Sequence, residues 1–398
     1  MPSDRSANSS APALSIDAPE WKLLTAACSV QSGFAAFKAY FSTLPASLDW
    51  DSILHNANDH GISALLYQRL SQLAGVPSPV LQALAQRYET NLHKSLLLTR
   101  ELFRVLDCLE SLAAPAIPYK GVTLSEIYYG DMALRQSGDM DFFVRAADVA
   151  RIKAAVHPLG YIPRIAVPPE AEPAYIASGY ECSFDSPAGT NLLELKWALQ
   201  PRFYAIDYDM QAAFDRATAA QFAGRKIQTP SPEDYFLVLS LHAAKHVWGR
   251  LIWLCDIDRL LRRHELNWDW LVDYSRQLGV QRIVGVTLLL SNKFLQTEIP
   301  DILQESLASD AKAQAFAEQI ASAVAAGTTY EDQQISYFRL MMRLRERASD
   351  RLRFASRLAF TPGPGEWNTL QLPRTLSPLY RIVRMGRLLG RLSRTVDR

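Results

Sequence analysis

Two aspartates separated by a single residue are the pair in this sequence best suited to bind a cation. They lie in GDMDFFV (138–144), where acidic and apolar residues alternate as in a half-buried β-strand. Asp139 and Asp141 then share one face, roughly 7 Å apart, and Met140 and Phe142 face a core. Neighbouring carboxylates repel each other unless a cation neutralises them, and Mg²⁺ prefers such hard oxygen ligands. The pattern favours a metal-binding strand over the alternative, a solvated strand edge.

A third acid could complete this site. In LLELKW (192–197), Glu194 and Lys196 share one face of a strand and the apolar residues share the other. If this strand lies beside the Asp139–Asp141 strand, Glu194 joins the two aspartates. Three acids can hold two Mg²⁺ ions, with Mn²⁺ as an alternative, that activate a hydroxyl group and stabilise a leaving phosphate.

Short strands and helices surround the acidic residues. An extended run, residues 116–119, ends at Lys120-Gly121, and a helical stretch, VTLSEIYYG, follows it. A second helix is expected over 148–159. Residues 180–185 and 191–199 read as two strands joined by the turn sequence SPAG, which predicts a hairpin. This order predicts a small mixed α/β unit.

Helical patterns lie on both sides of that unit. Apolar residues recur at three-to-four spacing from Trp21 to about residue 112, with Asp49 as a helix N-cap and breaks at Gly61 and Gly75. A second helical region begins near Pro232 and continues to about residue 360. A Pro/Gly-rich linker, 361–367, then precedes a final helix over about 377–395.

These segments, taken in order, resemble the uncharacterised bacterial nucleotidyltransferase family of the DNA polymerase β superfamily. The likeness rests on Lys120-Gly121, a helix, Arg135 and Asp139-x-Asp141 followed by an apolar run. It extends to DWDSILHNANDHGISALLYQRL (49–70) and LHAAKHVWGRLIWLCDIDRLL (241–261), and so covers most of 45–385. Two features depart from the superfamily: Val122 replaces a small residue after Gly121, and the aspartates follow later than usual.

The resemblance implies an α+β fold, in which a polymerase β-like nucleotidyltransferase domain with a small mixed sheet is flanked by helical regions. The expected divisions are a disordered leader (1–18), an N-terminal helical region (19–112), the catalytic domain (113–230), a C-terminal helical domain (231–360), and the linker with a basic amphipathic helix (361–398).

The resemblance also implies roles for the site residues. Asp139, Asp141 and Glu194 would be both catalytic and metal-binding. The residues expected at the nucleotide are Lys120, Gly121, Arg135, Gly138, Lys196, His242, Lys245 and His246. For Lys120 and Arg135 two interpretations stay open: they grip a triphosphate, or they are countercharges to the acids.

Two other pairs allow more than one interpretation. His242 and His246 share one helix face and could pack, line the nucleotide cleft or bind a metal, although HAAKH contains no acid of the metalloprotease type. Asp256 and Asp258 repeat the Asp-x-Asp spacing within a helical pattern, where residues i and i+2 point apart. They are expected to be solvated or salt-bridged.

The charge distribution separates the last 56 residues from the rest. The chain has 398 residues and a net charge of +1, yet residues 343–398 contain 13 Arg and 4 acids. This basic segment ends in an arginine stripe formed by Arg381, Arg384, Arg387, Arg391 and Arg394. The stripe could pack on the acidic body or contact an anionic membrane surface, an acidic peptide or, less favoured, nucleic acid.

The composition is that of a globular protein, with 48% hydrophobic and 21% charged residues. Four scattered cysteines argue against a disulfide framework or a structural zinc site, and a cytoplasmic location is expected. The resemblance, together with the three acids, implies a Mg²⁺-dependent enzyme that moves a nucleoside monophosphate from an NTP to a small-molecule or peptide acceptor. The alternatives are a catalytically inactive scaffold acting through the basic helix and a kinase-like phosphotransferase.

Overall fold

Five helices precede the first strand in the computed structural model, which describes residues 13–31, 33–186, 192–328, 335–361 and 379–386. Asp49 begins the third helix as predicted, because its side chain accepts a hydrogen bond from the Ser52 amide at 3.0 Å. The predicted breaks at Gly61 and Gly75 both fall between helices, and both glycines have a positive φ. The helices are α1 (Pro19–Cys28), α2 (Phe34–Phe41), α3 (Trp50–Asp59), α4 (Ser63–Leu70) and α5 (Ser78–Ser111).

A five-stranded mixed sheet follows these helices. Its strands are β1 (Ala116–Pro118), β2 (Asp139–Val144), β3 (Ile162–Pro163), β4 (Glu181–Asp185) and β5 (Leu192–Lys196). They are arranged in the order β1-β2-β5-β4-β3, and β2 and β5 are parallel whereas the other neighbours are antiparallel. The predicted hairpin is confirmed as β4–β5, with strands shorter than expected. Most of its SPAG turn lies outside the described residues.

Short helices and a second hairpin complete this part of the chain. The helix predicted over 148–159 is confirmed as α7, with 3₁₀ turns at both ends. The hairpin was not predicted, although its Ala223-Gly224 turn has two positive φ angles, as a two-residue hairpin loop requires. The elements are α6 (Val122–Tyr129), α7 (Val149–Val156), α8 (Glu172–Ser178), α9 (Met210–Asp215), β6 (Thr218–Phe222) and β7 (Arg225–Thr229).

The second helical region begins at Pro232, as predicted, with Ser231 as its N-cap. Its helices are α10 (Pro232–Lys245), α11 (Leu251–Arg263), α12 (Trp268–Leu278), α13 (Gln281–Leu295), α14 (Asp301–Ser309), α15 (Ala311–Ala325), α16 (Ile335–Arg343) and α17 (Ala348–Phe360). Residues 380–386 are helical, and Arg384 Nε donates to the Leu358 carbonyl at 3.2 Å. The linker from residue 362 and the last three arginines of the stripe lie outside the described residues.

The central sheet has one apolar face and one charged face. Met140, Phe142 and Leu193 are fully buried in a cluster that includes residues of α5 and α7, which confirms the predicted core face of β2 and β5. The acids of both strands lie on the opposite face, where α10 contributes its C-terminal residues. The expected α+β class is therefore confirmed. In the part of the chain that the structure describes, no helix is both long and apolar enough to cross a membrane.

Candidate active site

The three acids singled out in the sequence converge on the charged face of the sheet. Strands β2 and β5 pair in parallel with Asp141 opposite Glu194, so the two strands place their acids side by side. Asp139, Asp141 and Glu194 each offer an oxygen that lies within 4.8 Å of the others. Strand β2 lies between β1 and β5, away from the sheet edge, and Asp141 is fully buried. The alternative of a solvated strand edge is therefore wrong.

An ammonium group lies among these carboxylates. Lys196 Nζ is 2.8 Å from Asp141 Oδ1, 2.8 Å from Glu194 Oε2 and 3.4 Å from Glu181 Oε2. The side chain is buried, which by itself lowers the pKa of Lys196, but Asp141 and its other anionic neighbours raise that pKa well above its usual value. Lys196 therefore remains charged and compensates the charge of the acids.

The turn after β1 brings a second lysine and a glycine to the same place. Lys120 Nζ lies 3.1 Å from Asp141 Oδ2. Gly121 has φ +70°, and a Cβ atom there would lie 2.7 Å from the Asp139 carbonyl oxygen. Only glycine fits this position without strain. Gly138, which precedes β2, is exposed, and a Cβ atom on it would lie 3.7 Å from Lys94 Nζ.

The three acids titrate differently because their surroundings differ. Burial, followed by the charge of Asp141, raises the pKa of Asp139. Burial would also raise the pKa of Asp141, but Lys120 and Lys196 outweigh it and lower that pKa. The pKa of Glu194 rises to about 7, chiefly through burial, which the opposing effect of Lys196 does not cancel. The site thus holds one firmly ionised carboxylate and two that are more easily protonated.

Glu181 is a fourth acid at the site, and the sequence analysis missed it. It lies on β4 directly opposite Lys196. Burial would raise the pKa of Glu181, but Lys196 and then Lys245 lower it. Polar and apolar residues alternate from Glu181 to Phe184, which places Glu181 on the polar face of β4. This alternation in the sequence could have identified Glu181 as a site residue.

Arg135 has a partner that its position in the sequence does not suggest. Its Nε and Nη2 donate to the two carboxylate oxygens of Asp256 at 2.8 Å each, and Nη1 donates to the Gly121 carbonyl at 3.3 Å. The guanidinium is buried and fully engaged. Arg135 is therefore paired with Asp256 of α11 and not with the three acids, and its hydrogen bond to Gly121 positions the turn. A role of Arg135 at the triphosphate stays a prediction.

The two aspartates of α11 are salt-bridged and buried. Asp256 also accepts a hydrogen bond from the Tyr129 hydroxyl at 2.7 Å. Asp258 pairs with Arg262 at 3.0 Å and accepts a hydrogen bond from Thr297 at 2.7 Å. The salt-bridged interpretation is confirmed, and the solvated one is wrong.

Replacing Arg135 with methionine is expected to lower the free energy of unfolding by about 3–5 kcal/mol, because it leaves Asp256 buried without a cation. Arg276→Met is the matched control: Arg276 pairs with Asp273 at 2.5 Å, but both side chains are more than half exposed. We expect that variant to lose less than about 1 kcal/mol. Urea unfolding of both variants measures the difference, and equal losses would contradict the positioning role.

The C-terminal end of α10 faces the charged side of the sheet. It carries His242 and Lys245, and His246 follows directly. The two histidine rings are 4.9 Å apart, and both contact the Trp253 ring. Burial, then the charge of Lys245, lowers the pKa of His246 to about 3, and burial and Lys120 lower that of His242. Both imidazoles are therefore neutral at pH 7. Lys245 Nζ donates to the hydroxyl of Tyr180, the residue before β4, at 3.3 Å. A role of these residues at a nucleotide stays a prediction.

The donor set fits a divalent cation. It consists of carboxylate oxygens, which are hard ligands of the kind that Mg²⁺ and Mn²⁺ prefer. Oδ2 of Asp141 is buried and has no hydrogen-bond partner among the described residues, since Lys120 only approaches it as an ion pair. A cation that bound this oxygen would take the place of the Lys120 ammonium group beside it.

Comparisons with solved structures give two distant neighbours. One is the lincosamide antibiotic adenylyltransferase LnuA, determined with lincomycin bound; it is 17% identical, and the match covers 41% of this chain and 95% of that one, with a TM-score of 0.29. The other is an antigenic nucleotidyltransferase-like protein from Paracoccidioides brasiliensis, 18% identical over 54% of this chain and 94% of that one, also at 0.29. Scores this low support no structural argument. No curated protein matches the chain.

The sequence itself gives the family. The sequence model of a family described as uncharacterised nucleotidyltransferase matches residues 46–296, more than half of the chain. The matched region contains both strands that carry the acids, the Lys120-Gly121 turn and α10. This chain is therefore a member of the uncharacterised nucleotidyltransferase family.

Proposed function

We propose that the protein is a Mg²⁺-dependent nucleotidyltransferase that moves a nucleoside monophosphate from an NTP to a small-molecule or peptide acceptor. The observation that carries this proposal is the convergence of Asp139, Asp141 and Glu194 within 4.8 Å on one face of the sheet. An acceptor oxygen would form a bond to the α-phosphorus, the bond between that phosphorus and the β-phosphate oxygen would break, and pyrophosphate would leave.

Each residue of the site would have its own role in the transfer. Asp139, Asp141 and Glu194 would hold the metal ions, and Glu194 would also accept the proton of the acceptor. Lys120 would neutralise the triphosphate as a point charge. Two bound Mg²⁺ ions would activate the acceptor oxygen and stabilise the charge that develops on pyrophosphate. Catalysis would consist of positioning and charge stabilisation.

The charge balance of the site supports joint binding of metal and nucleotide. The site holds four acids and three lysines, and the raised pKa of Glu194 reduces the excess of negative charge further. The acids are Asp139, Asp141, Glu181 and Glu194, and the lysines are Lys120, Lys196 and Lys245. A site this close to neutral attracts a divalent cation weakly. We therefore expect Mg²⁺ and the triphosphate, whose charges compensate each other, to bind together.

Isothermal titration calorimetry with each NTP tests this expectation. Nucleotide binding should be at least about tenfold tighter with Mg²⁺ than with EDTA, since a metal held by Asp139, Asp141 and Glu194 would offset the repulsion between these carboxylates and the triphosphate. The Asp139→Asn variant is the control and should lose this metal dependence. The absence of any Mg²⁺-dependent part of nucleotide binding, or its persistence in Asp139→Asn, would contradict the proposal and favour a scaffold without catalytic activity.

A further inference from the structure

A cavity lies on the far side of α6 from the acids. It has a volume of about 570 Å³ and lies among α4, the C-terminal end of α6 and the last turns of α11. Its walls include four arginines, Arg69, Arg259, Arg262 and Arg263, and none of the described residues that line it is acidic. A cavity of this size with walls of a single charge sign is suited to an anionic ligand.

Arg259 is the most informative of the four arginines. Its guanidinium carbon lies 4.1 Å from the centre of the Tyr129 ring, and its Nη1 is buried with no hydrogen-bond partner among the described residues. Buried charged groups are normally paired, because an unsatisfied donor costs free energy. Because the Arg259 side chain also lines the cavity, an anion bound there would lie against a guanidinium that has no acid hydrogen-bonded to this nitrogen.

The other three arginines are held by hydrogen bonds to backbone carbonyls and by one acid, Asp258, which is not among the residues that line the cavity. Arg262 pairs with Asp258 at 3.0 Å, Arg263 Nη1 donates to the Ile127 carbonyl at 2.5 Å, and Arg69 Nη2 donates to the Ser29 carbonyl at 2.9 Å. Burial, and after it the positive charge of Arg259, lowers the pKa of Arg69. Like charges therefore face one another across this cavity.

The cavity is separate from the acidic cluster. Helix α6 begins directly after Gly121, which touches Asp139, and ends at Tyr129, which lines the cavity. Its eight residues span about 12 Å. The Tyr129 hydroxyl is fixed by its hydrogen bond to Asp256 at 2.7 Å, so the ring beneath Arg259 is already in place before any ligand binds.

We propose that this cavity binds a small molecule carrying a pyrophosphate group. The planar guanidinium fork matches phosphate oxygens with two parallel hydrogen bonds, and several converging arginines suit the charge of linked phosphates better than that of one. The ligand is free pyrophosphate or a nucleotide that contains it. The inference does not depend on the transfer reaction, since it rests on residues outside the acidic cluster.

Calorimetric titration of the full chain in EDTA tests the proposal, with pyrophosphate, ADP and adenosine as the three probes. EDTA removes the metal through which the acidic cluster would bind phosphates, and variants of the cavity arginines assign the binding that remains. We expect pyrophosphate and ADP to bind and adenosine not to bind. If ADP binds at least tenfold more tightly than pyrophosphate, the ligand is a nucleotide, and similar affinities identify pyrophosphate itself. Adenosine binding as tight as that of ADP, or no binding of pyrophosphate or ADP, would overturn the proposal.

Arg259→Met assigns the binding to this cavity. The variant should weaken pyrophosphate binding by about tenfold or more, because a charge-assisted hydrogen bond is lost. Arg263→Gln, at an exposed residue, should also weaken binding and provides a second test if Arg259→Met fails to fold. Arg276→Met, at an exposed arginine outside the cavity, should bind pyrophosphate as the wild type does. Unchanged affinity in both variants of the cavity arginines would refute the assignment.

Discussion

Asp139→Asn is expected to reduce nucleotidyl transfer by about a thousandfold and to leave the melting temperature unchanged or higher. The loss of activity follows from the removal of a carboxylate that would contact the metal ions, whose charge stabilisation contributes several kcal/mol to the transition state. The effect on stability follows from the surroundings of Asp139. It forms no ion pair with any described residue, and burial and Asp141 raise its pKa.

The sign of the stability effect follows from that raised pKa. A carboxylate whose pKa is higher in the folded than in the unfolded protein is less favourably ionised after folding, so its charge destabilises the fold at neutral pH. Asparagine keeps the shape without the charge. Asp185→Asn, at an exposed acid of β4 that pairs with Arg164 at 2.7 Å, is the matched control and should keep full activity. A large drop in the melting temperature of Asp139→Asn would show that Asp139 has a structural role instead.

Lys196→Met is expected to lower the free energy of unfolding by about 3–5 kcal/mol in the absence of metal. The change leaves Asp141 and its acidic neighbours buried without the cation that lies between them. Mg²⁺ should restore part of this loss, because a divalent ion can neutralise the same carboxylates. Thermal unfolding of the variant with EDTA and with Mg²⁺ measures both effects.

Lys153→Met is the control for this experiment. Lys153 pairs with Glu172, and both side chains are largely buried, but the pair lies outside the acidic cluster. Its removal should also destabilise the protein, and Mg²⁺ should not compensate. If Mg²⁺ raised the stability of both variants equally, or of neither, the carboxylates around Lys196 would not be a metal site.

The strand that carries the two aspartates could be predicted from the sequence, because alternation along a strand is a local property. The pattern gave the bounds of β2, its core face, and the expectation that Glu194 would lie beside Asp139 and Asp141, as the register of β2 and β5 confirms. The same reasoning applied to β4 would have placed Glu181 on the polar face. The contact of Glu181 with Lys196 was not predicted because it depends on which strands become neighbours.

The partner of Arg135 could not be predicted, since Asp256 lies 121 positions further along the chain. Composition and spacing give no indication that α11 crosses the end of α6. The same limit applies to His242 and His246, whose spacing shows a shared helix face but whose burial against Trp253 depends on tertiary packing. The hairpin of β6 and β7 was missed because its first strand, TAAQF, has few of the β-branched and aromatic residues that mark strands.

Transfer of label from the α-phosphate of an NTP tests the central claim most directly. Purified protein is incubated with Mg²⁺, an extract of small molecules and peptides from the source cells, and each NTP labelled at either the α- or the γ-phosphate. We predict that an acceptor gains the α-label and the mass of a nucleoside monophosphate, and that Asp139→Ala with Asp141→Ala abolishes this transfer. Transfer of the γ-label alone would indicate a phosphotransferase, and unchanged α-labelling by the double variant would contradict the assignment of the active site.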